Sequence, residues 1–410
     1  MRISFLGDTM CEPLLLARSQ NANKQYNFEK SFFLIKKILA KSDYVVCNLE
    51  TPIAGSDAQY THNLFSFNAP IEFAQALKSL GVNLVLTANN HCLDRGENGA
   101  KKTLENLTAI GLNHTGVFMR DDTQNYYISN ICGYKVAFLS YTYGTNYLQN
   151  KELLSNNGPI KINMLSDYQT PPGIKPQLPT NNPLKKALLK IIPHGTRIKI
   201  KKKLGLTYYH SYQDDYYEEE KVILPLTEMA QTILRAKNEA DIVILCPHMG
   251  GQFNLKPGAF SELVADIALR CGCDAIIASH PHVVQEARVI NGTPCFFSLG
   301  NFVMSPNSVY LLSENLPNYG IVVHLDYPDI DLTSPLKDNE TALAPAVSFS
   351  IVRSIEQEND VLQVWPLLDL YEMANTPLQE QILSDANQIV KAVLKKDTAD
   401  CLIQNEYFLG

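Results

Sequence analysis

The chain has 410 residues, of which 45% are hydrophobic and 19% charged, enough to bury a substantial core and unlike a disordered or collagen-like polymer. At roughly 150 residues per domain, this length predicts two or three domains, or one large α/β domain with an annex. The formal charge of −7, from 35 basic and 42 acidic residues, excludes a protein whose whole surface grips nucleic acid or anionic lipid.

Short apolar runs predict strands at residues 3–6, 44–47, 84–87, 136–140, 242–246, 275–278 and 295–298. Helical patterns fall between them at 28–40, 71–80, 100–110, 225–237 and 261–270, several closed by a glycine, as at Gly81, Gly111 and Gly272. Strands of four or five continuous apolar residues separated by helices describe sheets covered by helices, so the expected class is α/β.

Two regions break this rhythm. Residues 145–220 carry Pro171, Pro172, Pro176, Pro179 and Pro183, then eight Lys or Arg and no acid over 185–203, then the acidic block Asp214 to Glu220. They read as an inserted subdomain or lid whose charge blocks either neutralise one another on a solvated face or dock an anionic polymer, a phosphate or a membrane surface. Near the end, residues 322–325, 346–352 and 361–365 predict antiparallel strands, and 377–394 an amphipathic helix. The expected organisation is a domain over 1–330, interrupted by the insertion, with the strands and helix of 331–410 packed on it.

The nine cysteines are an odd number and lie mostly in apolar runs, which predicts buried free thiols in a reducing cytosol. Cys271-Gly-Cys273 lacks the second pair that a structural zinc site needs. The start, Met1-Arg2-Ile3-Ser4-Phe5, reads as a strand without a charged leader, and no window approaches the ~20 apolar residues of a membrane span. The expectation is a cytoplasmic chain, with peripheral membrane association as the alternative.

The chemistry gathers at strand ends. Gly7-Asp8, Asn48-Leu49-Glu50, Asn89-Asn90-His91, Pro247-His248, Ser279-His280-Pro281-His282 and Gly300-Asn301 each follow an apolar strand. Ligands of such sheets collect beyond the carboxyl ends of the strands, so six ends can converge on one pocket. Asp8, Glu50, Asn90, His248, His280 and His282 form a mixed oxygen and nitrogen set, which suits Zn²⁺, Mn²⁺ or Fe better than Ca²⁺ or Mg²⁺. A carboxylate can bridge two cations about 3.5–4 Å apart, which clamp a phosphate ester. His91, next to Asn90, is placed to protonate a leaving alkoxide. Asn48 and Asn301 read as turn-forming or ligand-supporting residues, and Gly250 as either an anion-binding N–H or a tight turn. His62, His114, His194, His210 and His324 have no supporting neighbours. No G-x-S-x-G, P-loop or H-E-x-x-H pattern is present.

In order and spacing these stretches, with Thr51-Pro52, His248-Met249-Gly250 and Ser298-Leu299-Gly300-Asn301-Phe302, resemble the metallophosphatase superfamily and, within it, the CapA-type poly-γ-glutamate capsule synthesis proteins. The resemblance covers residues 1 to about 303 and implies a four-layer α/β/β/α sandwich. It implies Asp8 and His282 on one metal, Asn90, His248 and His280 on a second, Glu50 bridging the two, and His91 as general acid. Met10 stands where phosphatases place a histidine, a departure that the CapA-type pattern shares. Met249 and Gln252 occupy positions where Trp and Glu are common, so Gln252 is a substrate-side or supporting residue. The implied function is capsule or poly-γ-glutamate production through metal-dependent phosphoester or acyl-phosphate chemistry. Its partners would be an anionic polymer or a phosphorylated small molecule, and membrane-associated capsule-synthesis proteins. The alternatives are a non-catalytic module that holds an anionic polymer, and a general phosphoesterase acting on nucleotides or phospholipids.

Overall fold

The computed structural model describes residues 1–62, 65–167, 212–306, 313–328, 344–356, 361–395 and 402–409. The basic run at 185–203, with His194 and His210, lies outside the described residues. Among those described, two large sheets face each other. The first has nine strands. Arg2–Thr9, Tyr44–Leu49, Leu84–Leu86 and Asn113–Thr115 run parallel. Tyr319–Asp326, Ala346–Glu356 and Leu362–Pro366 extend the sheet from Arg2–Thr9 in antiparallel steps. Asn301–Val303 and Tyr407–Leu409 complete it. The second sheet has six strands, and Tyr134–Thr142, Ile242–His248, Ala275–Ile277 and Thr293–Phe296 run parallel within it.

Side chains alternate across a strand with period two, and the packing follows that rule. Ile3, Phe5, Tyr44 and Val46 of the first sheet meet Val136, Phe138, Ile242 and Ile244 of the second in the layer between them. Their neighbours Val45 and Cys47 turn outward onto Phe32, Phe73 and Leu77. Ala137, Leu139, Val243 and Leu245 turn outward onto Met229, Ile233, Val264 and Ala268. Burial on both faces is why these strands read as continuous apolar runs. The result is the α/β class that the strand and helix pattern predicts, in the helix, sheet, sheet, helix order that the family resemblance implies.

Several elements differ from their predicted extents for local reasons. Helix Ile71–Leu80 has the predicted ends: Gly81, at φ 111°, closes it by donating to Leu77 and Lys78 carbonyls, a conformation that favours glycine. The single helix expected over 28–40 is instead Glu29–Phe32, a 3₁₀ turn Phe33–Ile35, and Lys36–Leu39. The 3₁₀ turn aligns residues three apart and buries Phe32 and Ile35 together, with Phe32 against Phe73 and Phe302. The helix expected from 225 begins at Glu219 and contains Pro225. Proline cannot donate to the carbonyl four residues back, and that carbonyl, on Lys221, accepts the Asp167 N–H at 2.7 Å. From the acidic block, Asp214 is buried and accepts from Ser261 N at 2.9 Å and Ser261 Oγ at 2.7 Å. It thereby caps helix Ala259–Arg270, a favourable place for a carboxylate.

None of the described helices is long and apolar enough to cross a membrane. Six of the eight described cysteines are buried. His324 is buried and its ring lies 2.8 Å from Ser4 Oγ and 3.3 Å from Ser350 Oγ, so it is a satisfied core histidine.

Candidate metal centre

The parallel strands of both sheets end on the same side of the sandwich, and their following residues meet there. Tyr319–Asp326 pairs with the first strand only from Arg2 to Phe5, and Asn301–Val303 runs beside its end, with Asp8 opposite Asn301. Gly7 permits this approach, since a Cβ at that position would sit 2.1 Å from Gly300 O. Asp8 is fully buried. Its Oδ1 accepts from Asn48 Nδ2 at 2.7 Å and its Oδ2 from the His280 N–H at 3.1 Å, with His282 Nδ1 3.3 Å away. Burial alone would raise its carboxyl. Hydrogen bonding and charge from His282, the His248 charge and Asn48 more than offset this and hold Asp8 below the ordinary aspartate range.

Glu50 is also fully buried, yet among the described residues neither of its carboxylate oxygens has a hydrogen-bond partner. Three imidazole nitrogens surround Oε1 at longer range: His248 Nε2 at 3.4 Å, His282 Nε2 at 3.7 Å and His91 Nε2 at 4.0 Å. Ligand atoms of Glu50, His248 and His280 lie within 4.8 Å of one another, and so do those of Asp8, Glu50 and His282. The two clusters share Glu50. These buried groups are able to hold a metal ion, and an open carboxylate between imidazoles fits one, because a buried anion without partners is costly unless a cation answers it. Burial opposes a charged His282, but the Glu50 charge, the Asp8 hydrogen bond and charge, and Asn301 push it up to about 9.

His248 is held by contacts on both nitrogens. Nδ1 lies 3.0 Å from Ser279 Oγ and 3.2 Å from Asn48 Nδ2, and Nε2 lies 2.8 Å from Asn90 Oδ1 and 3.2 Å from His280 Nδ1. His280 and His282 both take left-handed backbones, at φ 106° and 58°. For non-glycine residues this costs about 1–3 kcal/mol each, strain of a kind that gathers at functional sites. His282 Nδ1 lies 3.0 Å from Asn301 Oδ1, while Asn301 Nδ2 donates to His282 O and Pro317 O. Asn48 and Asn301 therefore orient other groups from beneath the cluster.

His91 is buried beside the cluster, its Nε2 4.0 Å from Glu50 Oε1. Its Nδ1 lies 2.6 Å from Asp94 Oδ2, and Phe67 packs on its ring. Burial would lower its pKa, but the Asp94 charge and hydrogen bond, then Glu50, raise it above the ordinary histidine range. Gly250 takes φ 113°, and a Cβ there would meet Pro281 Cγ at 2.8 Å, which favours the tight-turn reading over anion binding. Gln252 is half-buried in the loop that follows, and Met10 is buried.

The family model of the bacterial capsule synthesis protein PGA_cap matches residues 2–306. The chain belongs to this family. It is 24% identical over 311 residues to the PGA biosynthesis protein CapA of Bacillus subtilis, covering 73% of this chain and 62% of that one. It is 23% identical over 353 residues to the capsule biosynthesis protein CapA of Bacillus anthracis, covering 84% and 67%. The chain thus spans a little under two thirds of the first relative's length. Within this family member the structure adds residues that sequence reasoning missed. Asp94 holds His91, Ser279 holds His248, Asn89 Nδ2 donates to Leu49 O at 2.8 Å, and the Tyr143 ring lies 4.6 Å from that of His280. The spacing His91-x-x-Asp94 was the one available sequence signal.

Proposed function

We propose that this capsule synthesis family member is a metal-dependent hydrolase of phosphoesterase type, acting on a phosphorylated or acyl-phosphate substrate in the production of an anionic capsule polymer such as poly-γ-glutamate. The observation that carries the reading is Glu50, buried, without hydrogen bonds among the described residues, and shared by two clusters of ligand type. Asp8 and His282 would hold one divalent cation, Asn90, His248 and His280 another, and Glu50 both, with Mn²⁺, Zn²⁺ or Fe suiting the donor set. Such ions polarise a phosphoryl or acyl oxygen and lower the pKa of water at the site. His91, fixed at Nδ1 by Asp94, presents Nε2 toward the cluster and delivers a proton to the leaving oxygen. The substrate partner is an anion, and membrane-associated capsule-synthesis proteins are the expected assembly partners.

The test is to reconstitute the protein with Mn²⁺ or Zn²⁺, count bound metal, and assay a generic phosphate ester for wild type, Asp8→Ala and His282→Ala. Stoichiometric metal and turnover abolished by both substitutions are expected. Absence of bound metal and of turnover would sink the reading. Full metal occupancy without turnover would instead support a module that holds an anionic polymer.

A further inference from the structure

The turn that leaves strand Tyr134–Thr142 reaches over the metal centre, and it carries a residue that none of the strand-end motifs includes. Asn146 is half-buried and takes a left-handed backbone, φ 54° and ψ 32°. Its carboxamide lies between two groups far away in the sequence. Asn90 Nδ2 donates to Asn146 Oδ1 at 3.1 Å, and Asn146 Nδ2 lies 3.3 Å from His91 Nε2.

A carboxamide has one accepting end and one donating end, so these contacts constrain each other. Asn90 could turn either end of its amide toward the cluster, but only the oxygen can ligate a divalent cation. With its NH₂ engaged by Asn146, Asn90 directs Oδ1 to the side of His248 Nε2, 2.8 Å away. His91 is likewise held at both nitrogens, by Asp94 at Nδ1 and by Asn146 at Nε2. One side chain thus links a residue of the cation cluster to the residue assigned the proton.

We propose that Asn146 is a positioning residue that turns the Asn90 oxygen toward the cation cluster and aims His91 Nε2 at the leaving group. This rests on the hydrolase reading. In that reaction the oxygen of water bonds to phosphorus, and the bond from phosphorus to the leaving oxygen breaks with its electron pair going to that oxygen. The leaving oxygen takes the proton of His91 Nε2, and Asn146 Nδ2 donates to the bared Nε2, the contact seen in the structure; water releases its surplus proton to solvent, and a solvent proton restores His91. Misplacing His91 therefore penalises a leaving group that needs the proton and spares one that does not.

The experiment compares wild type, Asn146→Ala and His91→Ala by calorimetric Mn²⁺ titration and by turnover of two monoesters. One is p-nitrophenyl phosphate, whose leaving group needs no proton, and the other a simple alkyl phosphate, whose leaving group does. Asn146→Ala is expected to weaken Mn²⁺ binding about tenfold, as loss of support for a metal ligand does. It should also slow the alkyl ester at least ~10-fold more than the nitrophenyl ester, in the direction of His91→Ala. Unchanged Mn²⁺ affinity with equal losses on both esters overturns the proposal. So does the same pattern from Asn150→Ala, which removes only the side chain that donates to Thr145 O at 2.8 Å within the turn. A wild type that binds Mn²⁺ but turns over neither ester sinks the hydrolase reading alone, and the affinity difference then decides the role of Asn146. A wild type that binds neither Mn²⁺ nor Zn²⁺ overturns both.

Discussion

The sheet that carries Asp8 buries polar groups at both of its ends. At the end where the first strand begins, protein partners answer the charges. Arg2 Nε and Nη2 grip Asp326 at 2.7 and 2.6 Å, and Nη2 also reaches Glu406 at 2.9 Å. His324, beside them, lies between Ser4 and Ser350. At the end where the strand finishes, Asp8 is answered by Asn48, His280 and His282, but Glu50 keeps two open oxygens among imidazoles. Both clusters are polar and tightly packed. Among the described residues only one has a deficit left unfilled, and that deficit separates a ligand site from a structural network.

Substitutions at the two ends should therefore fail in opposite ways. The largest effect is expected from Glu50→Gln, which keeps shape and removes charge. Mn²⁺ affinity should fall at least ~100-fold, beyond the loss typical of a supporting residue. The metal-free Tm should hold or rise, because a buried charge without partners has been removed. A metal-free protein that unfolds more readily would place Glu50 with the structural network. Arg2→Ala should do the reverse and leave Mn²⁺ binding unchanged. Its cost in urea unfolding should be about 2–3 kcal/mol, less than for a fully buried pair because Asp326 and Glu406 are partly exposed.

The smallest effect concerns pH. Burial, and then the Arg2 charge, hold the His324 imidazole below its ordinary value of 6.5, against the opposing pull of Glu406 and Asp326. The unfolded chain takes up a proton near that value while the folded chain resists it. The contribution of His324 is thus complete above pH 6.5 and is lost as pH falls toward its folded value. Urea titrations between pH 6.5 and 5 should show this loss, with a slope of at most ~1.4 kcal/mol per pH unit. In His324→Gln the slope should flatten, and an unchanged slope would assign it to other groups.

Much of the sandwich was legible because its strands are buried on both faces and its helices carry one apolar stripe. Ile71–Leu80 shows both signals, with Phe73, Ala74, Leu77 and Leu80 on the buried side and Gly81 at the stop. Less legible were elements set by tertiary contacts. The break at residues 33–35 answers the packing of Phe32 against Phe73 and Phe302. The early start at Glu219 depends on Asp167 capping the carbonyl that Pro225 leaves open. Asn301–Val303 is too short to announce itself as a strand.

At the site, the gathering of Asp8, Glu50, Asn90, His248, His280 and His282 in one place was legible from their shared position after strands. The residues that orient them were not. Asn146 meets His91 and Asn90 through a turn between elements, where neither helical nor strand periodicity leaves a trace.

The central claim is that the two clusters joined at Glu50 form a cation centre. The most direct measurement is calorimetric titration of the metal-free protein with Mn²⁺, paired with the same titration of Glu50→Gln. Saturable binding of one or two ions per chain, lost in Glu50→Gln, is the predicted result. Binding that is absent in wild type, or equal in the two proteins, would contradict it.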